Sequence, residues 1–237
     1  MIPSWVRMMW DRRSHQFMTP TRVHSSGPQA NLSAAYFDAR YQILREPLGF
    51  PPNAAKLPDD DEAIHAWIEI ANRNQNLKND NTDEMVVAVG RIHLIPADST
   101  GACADTVDEN AAHCPDFPPL GTHGFSDGDG NGFPPPKSLR PAVQIRQMGT
   151  LENHQRKGHA ATVLTNLENG AVEQWGKCTG FLQARVAAIP FYEAQNWTCF
   201  GDKYMVEGIG LHRSMWKPLN VPLSLDSSIQ HRPEGDS

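Results

Sequence analysis

The clearest change of hydrophobic period falls between residues 142 and 186. Val143 and Ile145 alternate with Gln144 and Arg146, the two-residue period of a half-buried strand. From Ala160 the period lengthens. Ala160, Leu164, Leu167, Ala171 and Trp175 recur every three or four residues, which places them on one helical face. Gly176 supplies a stop, and GFLQARV at 180–186 reads as strand again. A strand, a crossover helix and a strand form a βαβ unit, so 143–151 and 180–186 are expected to be parallel neighbours.

The same reading extends outward. Tyr36, Ala39 and Ile43 line a helix that begins near Leu32 and ends at Pro47 and Gly49. Ile64, Trp67, Ile68 and Ala71 suggest a second helix over 62–71, with Asp59, Asp60, Asp61 and Glu62 favouring its positive end. Met85 to Ile95 reads as strand with a bulge at Gly90. The turn cluster Asn79–Asp83 before it would join it to an earlier strand that the pattern does not place. Pro190 to Gln195 starts a last helix. Strands near 199–206 and 209–216 follow it.

Three segments lack any period. Residues 1–31 carry Arg7, Arg12, Arg13 and Arg22 against Asp11 alone. They are expected to be a disordered tail, with a transit peptide as the alternative. Residues 96–141 are rich in Gly, Pro and Asp and are expected to be a disordered insertion or a flap. Residues 220–237 read as a polar tail. One domain, 32–219, remains.

Composition narrows the function classes. The 237 residues are 39% hydrophobic, with a formal net charge of -6. That balance is ordinary for a soluble domain and argues against a nucleic-acid partner. It favours, weakly, a cationic amine substrate. No apolar run reaches the ~20 residues of a membrane span. Cys103, Cys114, Cys178 and Cys199 are irregularly spaced, as free thiols in a reducing compartment would be. A cytoplasmic location follows, with organelle import as the alternative if 1–31 is a transit peptide. Asp127 to Gly132 matches half of a calcium loop, but Ser138 stands where its bidentate Glu belongs. The spacing of His113, Cys114 and His123 fits no zinc pattern. No metal is expected.

The chemistry concentrates at the turn between the 143 strand and the 160 helix, Gln155-Arg156-Lys157-Gly158-His159-Ala160. The first N–H groups of a helix lack intrahelical partners. With the dipole and two adjacent cations they make an anion site, and glycine lets a phosphate come close to the backbone. Gln155-x-x-Gly158-x-Ala160 resembles the pyrophosphate signature of the GNAT superfamily of acyl-CoA N-acyltransferases. Ile189 to Trp197 (IPFYEAQNW) is similar to that family's Phe-Tyr-Glu segment, and Arg40 to Gly49 (RYQILREPLG) to the first helix of one of its branches. The three segments stand in family order.

The resemblance implies an α/β (α+β) fold: a mixed, mostly antiparallel sheet flanked by helices, with a central parallel pair splayed at the acyl-CoA site. It implies acetyl-CoA as co-substrate and transfer to a small-molecule or peptide amine by direct attack in a ternary complex. A monomer or homodimer would suffice. Backbone of Arg156, Lys157, Gly158, His159, Ala160 and Ala161 would bind the pyrophosphate beside Gln155. Backbone of Met148, Gly149 and Thr150 would pair with pantetheine and offer an N–H to the acyl oxygen. Tyr192 occupies the general-acid position. Where many relatives carry a basic glutamate this chain has Ala184, so the base is open among Glu152, His212 and Glu207. An acyl-CoA sensor without turnover is the alternative function.

Overall fold

The expected βαβ unit lies at the centre of a seven-stranded sheet. The computed structural model describes residues 21–72, 83–101, 103–104, 113–123, 125–126 and 132–220. The strands are β1 (Thr21–Ser26), β2 (Ile64–Asn72), β3 (Asp83–Ile95), β4 (Ala142–Thr150), β5 (Cys178–Arg185), β6 (Thr198–Val206) and β7 (Gly210–Leu219). Their spatial order is β1-β2-β3-β4-β5-β7-β6. Only β4 and β5 pair in parallel; every other neighbouring pair is antiparallel. Helix α2 (His159–Trp175) is the crossover, and Gly176 at φ 73° ends it. Helices α1 (Ala34–Leu44) and α3 (Ile189–Glu193) are the other two α-helices among the described residues.

Two expectations near the start need correcting. Residues 64–72 form strand β2, not a helix. Ile64, Ala66 and Ile68 are buried on the face that α2 covers, and β2 pairs with β1 on one side and β3 on the other. The helical subset Ile64, Trp67 and Ile68 is a coincidence within a period of two. The β-branched isoleucines favour the pleated alternative. It is also the strand that precedes Asn79–Asp83 in the chain, of which 79–82 lie outside the described part. Thr21–Ser26, assigned to a disordered tail, is edge strand β1, in register from Thr21 opposite Ile70 to Ser26 opposite His65. Residues 1–20 and 221–237 lie outside the described part.

The insertion is corrected in part. A two-residue ribbon joins Cys103–Ala104 to His113–Cys114. Phe117, Leu120 and Leu139 are buried with Phe181 of β5 and Phe200 of β6 in a second apolar cluster. The Phe117 and Phe181 rings lie 5.0 Å apart. Aromatic burial of this kind offsets the ordering entropy that a Gly- and Pro-rich chain otherwise keeps. Residues 127–131, the partial calcium loop, lie outside the described part.

The sheet is covered on both faces. On one, Val163, Leu164, Leu167 and Ala171 of α2 pack on Ile68, Val87, Ile92, Val143 and Ile145. On the other, Tyr36 and Ala39 of α1 pack on Val86 and Val89. Beside them sits a buried polar network. Two of the acids expected to lead a helix, Asp59 and Asp60, are its anions. Asp60 accepts from Arg40 Nη1 at 3.0 Å and approaches Arg91 Nε at 3.3 Å; Asp59 lies 2.9 Å from Arg91 Nη2. His65 Nε2 bonds the Asp60 carbonyl at 2.9 Å, so its Nδ1 accepts from the Tyr36 hydroxyl at 2.9 Å. Buried charges persist where they are paired in this way.

Candidate active site

The β4–β5 ladder is short. Ala142, Val143 and Gln144 pair with Thr179, Gly180 and Phe181, and there the parallel register ends. At the end of the ladder a side-chain bond, Gln144 Nε2 to Gln183 Oε1 at 3.0 Å, continues the contact. The cause of the parting lies on the other edge of β4. Val89 pairs with Gly149 but Arg91 pairs with Arg146, so β4 carries one extra residue opposite Gly90. This is a bulge, which bends and twists its strand. Its Gln147 has φ 49°. Beyond Gln144 the β5-facing edge of β4 is therefore open, with backbone groups available to an extended ligand.

A cleft of about 420 Å³ occupies the opening. Ile43, Leu44 and Leu48 form one wall, β4 from Ile145 to Thr150 and β5 from Leu182 to Arg185 form others, and Tyr192, Ile209 and His212 complete it. Helix α1 approaches β4 so closely that a Cβ on Gly149 would stand 2.6 Å from Ile43 Cγ2. Glycine is what this crossing permits.

The sequence-derived residues divide as follows. Met148, Gly149, Thr150, Gln155 and Tyr192 line this one cleft. Arg156, Lys157, Gly158, His159, Ala160 and Ala161 follow directly, as the turn and first turn of α2. Gly158 is the N-cap at φ 85°, with open space where a Cβ would project. It has no capping side chain and the first turn carries no acid, so the leading N–H groups are left for another acceptor. Burial and the Lys157 ammonium hold His154 and His159 below the ordinary imidazole range. Glu152 does not line the cleft. It lines an adjoining cavity of about 550 Å³ that shares Ile43, Thr150 and Gln155 with it. Glu207 is exposed at the β6–β7 turn.

Tyr192 is 9% exposed. Its carbonyl accepts from Trp197 N–H at 3.1 Å, which fixes α3 against β6. No described residue bonds its hydroxyl, and burial pushes the phenol well above its ordinary pKa. The phenol is thus protonated at neutral pH.

His212 was one of three candidates for the base, and the structure brings it to the cleft. Its Nδ1 donates to the Gly210 carbonyl at 2.8 Å. The neutral ring then carries its lone pair on Nε2. Burial keeps the ring below its usual value, with nearby Arg185 adding to this and the Gly210 bond opposing it. Residues that the motifs did not single out complete the walls: Arg146, Gln147, Gln183 and Arg185. For Arg146, Gln183 and Arg185 the signal was present in the sequence, since they are polar positions of two strands whose alternate residues are apolar; Gln147, in the apolar phase of β4, gave none.

No protein-family model and no curated protein matches the chain. Solved structures do. Escherichia coli ElaA is 14% identical, with 84% of this chain and 99% of that one covered at a TM-score of 0.51. Arabidopsis thaliana NAA60, solved in complex with acetyl-CoA, is 11% identical over 84% and 99% at 0.50. FeeM, an N-acyl amino acid synthase from uncultured soil microbes, is 10% identical over 88% and 94% at 0.51. The fold of this chain is that of the GNAT acyl-CoA N-acyltransferases.

Proposed function

We propose that the protein is an acetyl-CoA-dependent N-acetyltransferase that acts on a primary amine by direct attack in a ternary complex. The observation that carries this is Tyr192, which lines the cleft where β4 and β5 part and whose hydroxyl no described residue bonds. A molecule that only held CoA would have no use for a donor there.

The pyrophosphate anchors on the leading N–H groups of α2, with Arg156 and Lys157 beside them. The pantetheine arm runs along the open edge of β4 at Met148–Thr150. Anchoring the remote end holds the thioester in place and makes the reaction effectively unimolecular. The amine nitrogen attacks the thioester carbon and forms the new C–N bond. A β4 N–H stabilises the charge that develops on oxygen. His212 Nε2 takes the amine proton, directly or through water. The C–S bond breaks, and the sulfur leaves with a proton from Tyr192, which solvent later restores. The sequence-derived alternative Glu152 fits the base role less well, because it faces the adjoining cavity. A covalent route through cysteine has little support. Cys178 is buried, and burial pushes its thiol up to about 11, away from the reactive thiolate.

The test pairs equilibrium binding with turnover. CoA affinity is measured by calorimetry, and thiol release from acetyl-CoA is followed with and without a pool of amines. Amine-dependent release with a matching N-acetyl product by mass spectrometry is the expected result. Tight binding without amine-dependent release makes the protein an acyl-CoA sensor instead.

A further inference from the structure

The two arms of the insertion meet in a fixed register. Phe117 N–H donates to the Thr100 carbonyl at 2.9 Å, and Thr100 Oγ1 donates to Asp116 Oδ2 at 2.7 Å. A Cβ on Gly101 would stand 2.7 Å from the Phe117 ring, so the arms pass close to each other there. Three residues further along each arm, in the same register, Cys103 lies opposite Cys114 and Ala104 opposite His113. The returning arm is in turn held on the sheet. The Pro115 carbonyl accepts from Gln183 Nε2 of β5 at 3.1 Å, and Phe117 is buried with Phe181 and Phe200.

Residues directly opposite each other in an antiparallel ladder have Cα atoms ~4.5 Å or ~5.5 Å apart, according to whether they exchange backbone bonds. Both separations lie inside the ~4.4–6.8 Å that a disulfide spans. With 4 cysteines among 237 residues, composition alone would seldom set two of them opposite each other. A two-stranded ribbon is marginal in water by itself, and a covalent link between its strands removes much of the entropy it must otherwise give up.

We propose that Cys103 and Cys114, directly opposed in this ribbon, are joined by a disulfide that staples the two arms of the insertion. The bond forms by exchange with a small-molecule disulfide such as oxidised glutathione. One protein thiolate attacks a glutathione sulfur, the S–S bond breaks and one glutathione thiol leaves. The second protein thiolate attacks the protein sulfur of the mixed disulfide, and the second glutathione thiol leaves. Two protein thiols are oxidised, and the two electrons and two protons pass to the two glutathione thiols. Cys178 and Cys199, on β5 and β6, take no part. The expectation of free thiols is thereby reversed for one pair of the four, and the inference does not depend on the acetyltransferase reading.

The test equilibrates the reduced full-length protein with mixtures of reduced and oxidised glutathione, in buffer and in unfolding concentrations of urea, followed by acid quench and mass spectrometry. The folded protein should become lighter by the mass of two hydrogens. Cleavage after Glu109, which lies between the two cysteines, should leave the Cys103 and Cys114 peptides joined until they are reduced. Cys103→Ser should abolish the loss of mass and leave Cys114 as a glutathione adduct. The unfolded chain also closes so short a loop, so the deciding quantity is the ratio of the exchange equilibrium constants in buffer and in urea. It should be ~30-fold or more, the factor that corresponds to ~2 kcal/mol. A ratio near one would mean that the ribbon does not bring the cysteines together, and it overturns the inference. Glutathione adducts without the internal bond, or a bond that engages Cys178 or Cys199, overturn it as well.

Discussion

The guanidinium of Arg40, on α1, donates through Nε to the side-chain oxygen of Gln147, the positive-φ residue of the β4 bulge. The same guanidinium is paired with Asp60 at 3.0 Å. One side chain thus ties the buried ion network to the point where β4 turns away from β5. Gln147 also lines the cleft. The shape of the site is held by the network beneath α1 as well as by the βαβ unit.

Tyr192→Phe keeps the ring and its packing and removes the donor. A positioned acid contributes ~10²–10⁴-fold, so turnover should fall at least ~100-fold. CoA affinity should change little, since the anchor is at α2. A loss confined to the chemical step marks a group needed in the transition state. Near-parental turnover with chemistry rate-limiting would make Tyr192 a packing residue.

His212 must be neutral to accept a proton. Its pKa lies below 6.5 in the fold, so kcat/KM for the acceptor should rise with pH on a limb centred below 6.5 and level off above it. In His212→Gln that limb should vanish and turnover should drop. A Gln variant that keeps the limb assigns it to another group.

Phe117 is fully buried against β5 and β6. Phe117→Ala should cost about 3–5 kcal/mol, or roughly 6–20 °C in Tm for a domain of this size. An unchanged Tm by calorimetry would mean that the insertion is dispensable after all.

His65 and His93 should make the fold acid-labile. Burial pushes His65 down to about 4, and burial with Arg91 pushes His93 down to about 3. The unfolded chain takes up these protons near 6.5, the folded one only below those values. Between pH 6.5 and about 3 the unfolded state therefore binds more protons, so stability falls as pH falls. The slope is at most about 1.4 kcal/mol per pH unit for each histidine. Urea unfolding at pH 7, 6, 5 and 4 measures it. A flat profile would place both rings in contact with water.

Much of the central unit was readable because its periods are long and unmixed. Leu164, Leu167 and Ala171 can only be one helical face, and the Gln155–Ala160 turn carries its own backbone chemistry. Residues 64–72 misled because an isoleucine-rich segment offers apolar residues to both periods, and only pairing with β1 and β3 decides. Phe117 misled because scattered aromatics in a Gly- and Pro-rich stretch show no period; its partners Phe181 and Phe200 are distant in sequence. The bulge at Gln147 has no local signature at all. The choice among the candidate bases was unreadable for the same reason: His212 reaches the cleft through the β5–β7 register, which no motif encodes.

Main-chain groups of β4 and of the α2 turn are proposed to hold acyl-CoA, and amide hydrogen exchange by mass spectrometry, with and without saturating acetyl-CoA, reads those groups themselves. Exchange should slow in peptides covering Met148–Thr150 and Arg156–Ala161 and stay unchanged in β1. Gly158→Val, which places a side chain where the phosphate must approach, should abolish that protection. Protection elsewhere, or none at these two segments when calorimetry reports binding, would contradict the account.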